Sequence, residues 1–369
     1  MKLLNVLYEL RYSGAETMLE SAGSFFTDKG IELSVLATGP NLGPFAGNLR
    51  RKGYKLAHIV LALRMKNIYL MMRFYFKEKF DAVHIYVEKG SFLHILFARI
   101  SNPHCVIVRS YVDVYLLNGH KRWRRIIERF MARTILNIVS ISIGPSVYEC
   151  EKERFKNPTE ILLDWIDTDF YRPPNLEEKI EIRKKIGLDE KSFVISTVGT
   201  CNPKKNHIAI LNAVNRLKDK NPDLILLHRG TGPDTEFEIQ NAEELSLKDR
   251  VHFVGYIENI RDVYWASDIF VLTSLYEGLG NVTMEAMSCG LPVVLYDVEG
   301  TRDLNFEKMN KGGFWVKPND VELDVPIHLL ANDQNMRKKK SVEARTVAEE
   351  RFDLTQPLSW LVSKYKRFT

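Results

Sequence analysis

The chain has 369 residues, 45% of them hydrophobic and 27% charged, with a formal net charge of +5; at roughly 150 residues per domain this predicts two soluble domains, each with its own core. Four scattered cysteines (Cys105, Cys150, Cys201, Cys289) without a C-x-x-C pair exclude a disulfide scaffold and a zinc ribbon, and they read as buried apolar fillers in a reducing compartment. No apolar run approaches the roughly 18 residues of a membrane span, and Glu9 and Arg11 break the first apolar stretch, so a cytoplasmic chain is expected.

In chain order, short β-branched runs fall at Leu3–Tyr8, Ile31–Ala37, Ala82–Val87, Cys105–Val108, Ile138–Ile143 and Ile161–Leu163. Stretches of helical spacing lie between them, among them Ala15–Thr27, Tyr69–Lys79 and Arg122–Leu136. Near-continuous apolar strands alternating with amphipathic helices predict a parallel sheet in an α/β architecture. Around Asp164–Asn175 the pattern breaks, and Pro173-Pro174 reads as part of a linker. A second series follows, with strands at Phe193–Val198, Leu224–His228, Val251–Val254, Ile269–Thr273, Pro292–Tyr296 and Phe314–Val316 and helices at His207–Asp219 and Val282–Ser288. Two such series predict two Rossmann-like, doubly wound domains facing across a cleft, over 1–165 and 166–353. The tail 354–369 reads as an amphipathic helix, with Leu358, Leu361, Val362, Tyr365 and Phe368 on one face, and is placed with the N-terminal domain.

The most specific segment runs from Asp268 to Val294. A buried strand ends at Ser274, a loop with Gly278, Leu279 and Gly280 follows, and a helix begins near Asn281 and Val282. Glu277 stands at the strand's C-terminal edge and Glu285 about one turn into the helix, on the side where open α/β sheets bind ligands. The helix start, with backbone N–H groups at Gly280–Val282, suits an anion. Two carboxylates beside an anion site are good acceptors for sugar hydroxyls, so the pattern suits a ligand carrying both phosphate and polyol. Lysines at a helix N-terminus are electrostatically unfavourable without an anion nearby, which gives Lys204-Lys205 the same reading.

With these residues in place, the sequence resembles the large retaining nucleotide-sugar glycosyltransferase family known as family 4. Its signature is matched by Glu277 and Glu285 with seven residues between them, followed by Gly290-Leu-Pro-Val-Val294. Ser13-Gly14-Ala15-Glu16, Asp164-Trp165-Ile166-Asp167, Gly199–Asn206, Gly230-Thr231-Gly232-Pro233 and Val251–Gly255 also match in order. The resemblance implies the GT-B fold and a metal-independent transferase without a cofactor, acting on a nucleotide-diphosphate sugar. It implies that Glu277 holds the donor sugar, Glu285 the ribose hydroxyls and Lys205 the diphosphate, which Gly14 also approaches. Gly230, Gly232 and the loop from Gly278 to Val282 complete the donor contacts. Thr200 stands where the family places an arginine, with Lys204 or Arg229 as candidate replacements. Val112 stands where the family often has a histidine, leaving His84, Arg109 and Asp113 as candidate contacts from the N-terminal domain. The two domains are expected to close on the donor about 164–175.

Two segments carry basic residues among aromatics. Residues 121–133 hold six basic residues and one acid, with Arg122, Arg125, Arg129 and Arg133 on one helical face. Residues 64–79 mix Arg64, Lys66, Arg73, Lys77 and Lys79 with Tyr69, Met72, Phe74 and Phe76. Both suit an anionic membrane surface, and the expected acceptor is a glycan or lipid-linked precursor of a capsule, exopolysaccharide or lipopolysaccharide. A sugar-nucleotide epimerase or dehydrogenase would need a Gly-x-Gly-x-x-Gly turn, which Tyr12-Ser13-Gly14-Ala15 lacks. A catalytically degenerate nucleotide- or glycan-binding protein remains the alternative, because of Thr200 and Val112. No nucleic-acid motif is present, and no nucleic-acid partner is expected.

Overall fold

Leu3 and Leu7 on the first strand pack to one side of a sheet while Leu4 and Val6 pack to the other, so the strand is apolar at nearly every position. That pattern recurs through the computed structural model, which describes residues 1–62, 65–115, 117–257 and 259–366. Arg64 of the first basic segment and Phe368 of the tail lie outside the described residues. The chain divides into two units, residues 1–165 with 354–369, and residues 166–353.

In the N-terminal unit, β1 (Lys2–Leu7), β2 (Glu32–Ala37), β3 (Lys55–His58), β4 (Ala82–Ile85), β5 (Val106–Tyr111), β6 (Val139–Ser142) and β7 (Glu160–Ile161) form one parallel sheet. Its spatial order is β3-β2-β1-β4-β5-β6-β7. The order reverses between β1 and β4, which makes their C-terminal ends a ligand-binding crevice by the general rule for open α/β sheets. β3 has no counterpart among the expected strands: it is one of the two edge strands, and with Lys55 and His58 exposed it lacks an apolar run.

The C-terminal helix Thr355–Tyr365 completes this unit. Leu358, Leu361 and Tyr365 are buried in the core shared with Met18, Leu19 and Phe26 of helix Gly14–Asp28. The Tyr365 hydroxyl lies 2.6 Å from His84 Nδ1.

In the C-terminal unit, β8 (Phe193–Val198), β9 (Leu224–Arg229), β10 (Val251–Gly255), β11 (Ile269–Leu272), β12 (Val293–Tyr296) and β13 (Gly313–Val316) are again parallel. Their order is β10-β9-β8-β11-β12-β13, with the reversal between β8 and β11. Helices His207–Leu217 and Asn281–Ser288 follow β8 and β11 and start within one residue of where periodicity places them.

The segment 164–175 is not a loose linker. The buried Trp165 donates from Nε1 to Met18 O (3.1 Å) in the N-terminal unit. Ile166 N donates to Phe352 O (2.8 Å) and Thr168 Oγ1 to Asp353 Oδ2 (2.8 Å) in the C-terminal unit. Trp265 Nε1 holds Arg172 O at 2.8 Å. The chain therefore changes unit within one peptide bond at 165/166, alongside its return at 353/354.

Candidate active site

The C-terminal ends of β8 and β11 bring the expected lysine and the first glutamate together. The loop after β8 carries Lys204 and Lys205, and the loop after β11 carries Glu277. Lys205 Nζ lies 2.5 Å from Glu277 Oε1, and Lys204 Nζ lies 3.9 Å from Oε2 and 4.4 Å from the Tyr276 ring centre. Backbone bonds fix the two loops to one another: Leu275 N donates to Lys204 O (2.8 Å), and Thr273 Oγ1 to Asn206 O (2.9 Å). Burial pushes the Glu277 carboxyl up, but Lys205 and Lys204 outweigh it and hold the group below its ordinary range. Two lysines against one carboxylate leave a net positive charge at the switch point, which suits a diphosphate.

Glu285 lies in different surroundings. It is buried on helix Asn281–Ser288 and accepts from the Tyr264 hydroxyl at 2.8 Å. Burial pushes its pKa up to about 7, against smaller opposing contributions from Tyr264, Tyr171 and Arg229. Arg229, at the end of β9, stacks over Tyr256 at 5.0 Å. Tyr264, the partner of Glu285, was not singled out by the sequence reading, since an aromatic on the short helix Ile260–Ala266 reads as core.

The glycines divide by cause. A Cβ on Gly230 would stand 1.8 Å from Gly199 O, and one on Gly232 would stand 2.3 Å from Cys201 O, so these residues let the loops after β8 and β9 interlock. Gly280 takes φ +86° at the N-cap of helix Asn281–Ser288. Gly278 and Leu279 are buried beneath this loop, while Asn281 and Val282 are half-buried at the helix start. Gly14 opens helix Gly14–Asp28 in the N-terminal unit, where the buried Glu16 accepts from Arg11 N (3.2 Å) and from Ser13 Oγ.

Within the N-terminal unit a cavity of about 360 Å³ occupies the crevice at the ends of β1 and β4, lined among others by Tyr8, Glu9, Arg11, Glu16, Glu88, Lys89 and Tyr115. Val112 lines it too, so an apolar side chain stands where the resemblance places a histidine. Neither His84 nor Arg109 lines the cavity. His84 is fully enclosed between Tyr365 and Ser110 Oγ (2.8 Å), and burial lowers its pKa to about 3. Arg109 is buried against Glu88 and the Tyr111 ring. Asp113 Oδ1 accepts from Val114 N (2.9 Å).

The expected basic face of residues 121–133 is inverted. On helix Gly119–Thr134, Arg125 and Arg129 point inward: Arg129 pairs with Glu151 (2.7 Å) and Glu88 (3.2 Å), and Arg125 with Glu88 (3.0 Å). Trp123, Ile127 and Phe130 are instead exposed, each by more than half. Helix Met65–Glu78 also exposes Met65, Tyr69, Met72 and Phe76 among Lys66, Arg73 and Lys77. Among the described residues no helix is long and apolar enough to cross a membrane.

Two parallel doubly wound units, the second with a lysine–glutamate pair at its switch point, give the chain the architecture of the GT-B glycosyltransferases. Residues 178–347, most of the C-terminal unit, match the family described as glycosyl transferases group 1. The chain is 26% identical over 322 residues to the UDP-Gal:alpha-D-GlcNAc-diphosphoundecaprenol alpha-1,3-galactosyltransferase of Escherichia coli, covering 84% of this chain and 81% of that one. It is 32% identical over 208 residues to the lipopolysaccharide core biosynthesis mannosyltransferase LpsB of Rhizobium meliloti, covering 55% and 56%. Among solved structures, Anabaena Alr3699/HepE in complex with UDP and glucose superposes with a TM-score of 0.83 at 18% identity, covering 98% of both chains.

Proposed function

We propose that the protein transfers a hexose from a UDP-sugar, with retention of configuration and without a metal at the diphosphate, to a lipid-linked glycan precursor. The observation that carries this reading is the Lys205–Glu277 pair at the β8/β11 switch point. In the reaction the bond between the sugar's anomeric carbon and the diphosphate oxygen breaks, leaving UDP. Lys205 and Lys204 then meet the growing negative charge, while Glu277 turns from lysine to a sugar hydroxyl. The acceptor oxygen attacks from the same face and gives its proton to the departing phosphate. Glu285, buried beside Tyr264, is suited to hold the ribose hydroxyls. UDP as the carrier is supported by the E. coli relative's donor and by the UDP in HepE.

Lys205→Ala is expected to lower turnover by ~100- to 1,000-fold, since one preorganised charge partner is worth about 3–4 kcal/mol in the transition state. Turnover is read as UDP released with a diphosphoundecaprenol-linked sugar as acceptor, on protein whose melting curve stays cooperative. Near-wild-type turnover removes the assignment. UDP binding without UDP release at any acceptor would favour the degenerate alternative that Thr200 and Val112 raise.

The acceptor's lipid leads to the second part of the proposal: the exposed apolar residues of helices Met65–Glu78 and Gly119–Thr134 seat on the membrane surface, with Lys66, Arg73, Lys77, Lys121 and Arg124 around them. Well-placed cations contribute ~1 kcal/mol each at an anionic leaflet. Co-sedimentation is expected to favour anionic over neutral vesicles, and equal partitioning would remove the electrostatic part.

A further inference from the structure

Four side chains far apart in sequence meet in one buried cluster of the C-terminal unit. Cys201 lies in the loop after β8, His207 opens helix His207–Leu217, His228 is the penultimate residue of β9, and Glu238 lies on helix Thr235–Glu244. All four are buried, and one ligand atom from each lies within 4.8 Å of the other three. His207 Nδ1 is 3.0 Å from Glu238 Oε1, His228 Nε2 is 3.1 Å from Glu238 Oε2, and the two nitrogens are 3.0 Å apart.

Proton sharing alone does not satisfy this triangle. If both inner nitrogens carry protons, each N–H can turn to its own Glu238 oxygen, but the two N–H groups are then crowded side by side at 3.0 Å. If either is bare, its lone pair faces a carboxylate oxygen. Glu238 Oε2 is in fact buried without a hydrogen bond among the described residues, because its contact with His228 is misaligned. A cation at the centre removes the conflict, since imidazole nitrogen, carboxylate and thiolate then each offer it a lone pair.

The dimensions agree. Ligand atoms about 2.0–2.1 Å from a tetrahedral zinc stand roughly 3.3 Å apart, with sulfur slightly further out at about 2.3 Å from the metal. The nitrogen and oxygen atoms here are 3.0–3.1 Å apart, so shifts of a few tenths of an ångström fit those three ligands to an ion, while the Cys201 sulfur, within 4.8 Å of them, closes in by a rotation of its side chain. We propose that Cys201, His207, His228 and Glu238 bind one divalent ion of the zinc class. Four protein ligands leave no open position, which makes the site structural rather than catalytic. It ties the loop bearing Lys205 to β9 and to helix Thr235–Glu244. The ion therefore positions the lysine loop from behind and is distinct from any metal on the donor diphosphate. The inference does not depend on the identity of the donor or acceptor.

The test is a titration of chelator-stripped full-length protein with Co²⁺, followed by Zn²⁺. Wild type is expected to take up one equivalent of Co²⁺ with the visible bands of tetrahedral cobalt and a thiolate-to-cobalt charge-transfer band, and one equivalent of Zn²⁺ should erase both. Cys201→Ser should lose the charge-transfer band, and His228→Gln should bind at least roughly tenfold more weakly. Zn²⁺ should raise the melting temperature of wild type, and that of His228→Gln clearly less at the same Zn²⁺ concentration. Failure of wild type to bind one equivalent overturns the proposal, and so does an unchanged cobalt spectrum in folded Cys201→Ser. If a variant does not fold, the wild-type stoichiometry and charge-transfer band decide alone.

Discussion

Glu277 and Glu285 place the same side chain in opposite electrostatic surroundings. Lysines hold the first ionised, whereas burial raises the second from the usual 4.5 to about 7. A carboxyl raised on folding stabilises the fold fully below its unfolded pKa and ceases to do so as pH rises through its folded pKa. Across pH 4.5 to 7 Glu285 thus removes about 3 kcal/mol of stability from the C-terminal unit. Urea unfolding at pH 5 and pH 8 should show this decline in wild type and a flatter profile in Glu285→Gln; parallel profiles would contradict the buried-acid account. Both glutamates were legible from their spacing beside a glycine loop. Their different charge states were not, since those depend on Lys204, Lys205 and Tyr264 arriving from other elements. Gly230 was legible as a glycine loop, but the close Gly199 carbonyl that requires it comes from another strand's loop.

At the scale of elements, helix Gly119–Thr134 shows what periodicity leaves open. Spacing near 3.6 defines two faces but does not say which one is buried, and arginines are ordinarily exposed. Here Glu88 and Glu151 supply counter-charges under the helix, so the guanidinium groups turn inward and the aromatic face turns out. Arg129→Ala is expected to cost about 3–5 kcal/mol, because it strands buried carboxylates, and denaturant unfolding of the N-terminal unit reads it. Ile127→Asp should leave that unfolding unchanged within about 0.5 kcal/mol while lowering vesicle binding several-fold. Vesicle binding equal to wild type would show that this face does not meet the bilayer. Strands with both faces covered were legible as apolar runs, whereas β3, with Lys55 and His58 exposed at its two ends and no residue fully buried, was not.

At the scale of the whole molecule, the alternation of strands and helices made two doubly wound units readable. The sharp change of unit at 165/166 was not, because Trp165 and Ile166 look alike in sequence, yet Trp165 packs in the N-terminal core while Ile166 bonds to Phe352 of the C-terminal unit. The tail belongs to the N-terminal unit through Leu358, Leu361 and Tyr365, each worth about 1.5–3 kcal/mol on full burial. Deleting 354–369 should therefore lower that unit's stability by about 6 kcal/mol and leave the calorimetric transition of the C-terminal unit in place. During synthesis this arrangement sets an order. All of residues 166–353 emerge from the ribosome before the helix that closes the first core, so the half made first is the one finished last. Until then the side of the first core that Leu358, Leu361 and Tyr365 cover stays open on the nascent chain, which leaves the first half the more exposed to aggregation while it waits.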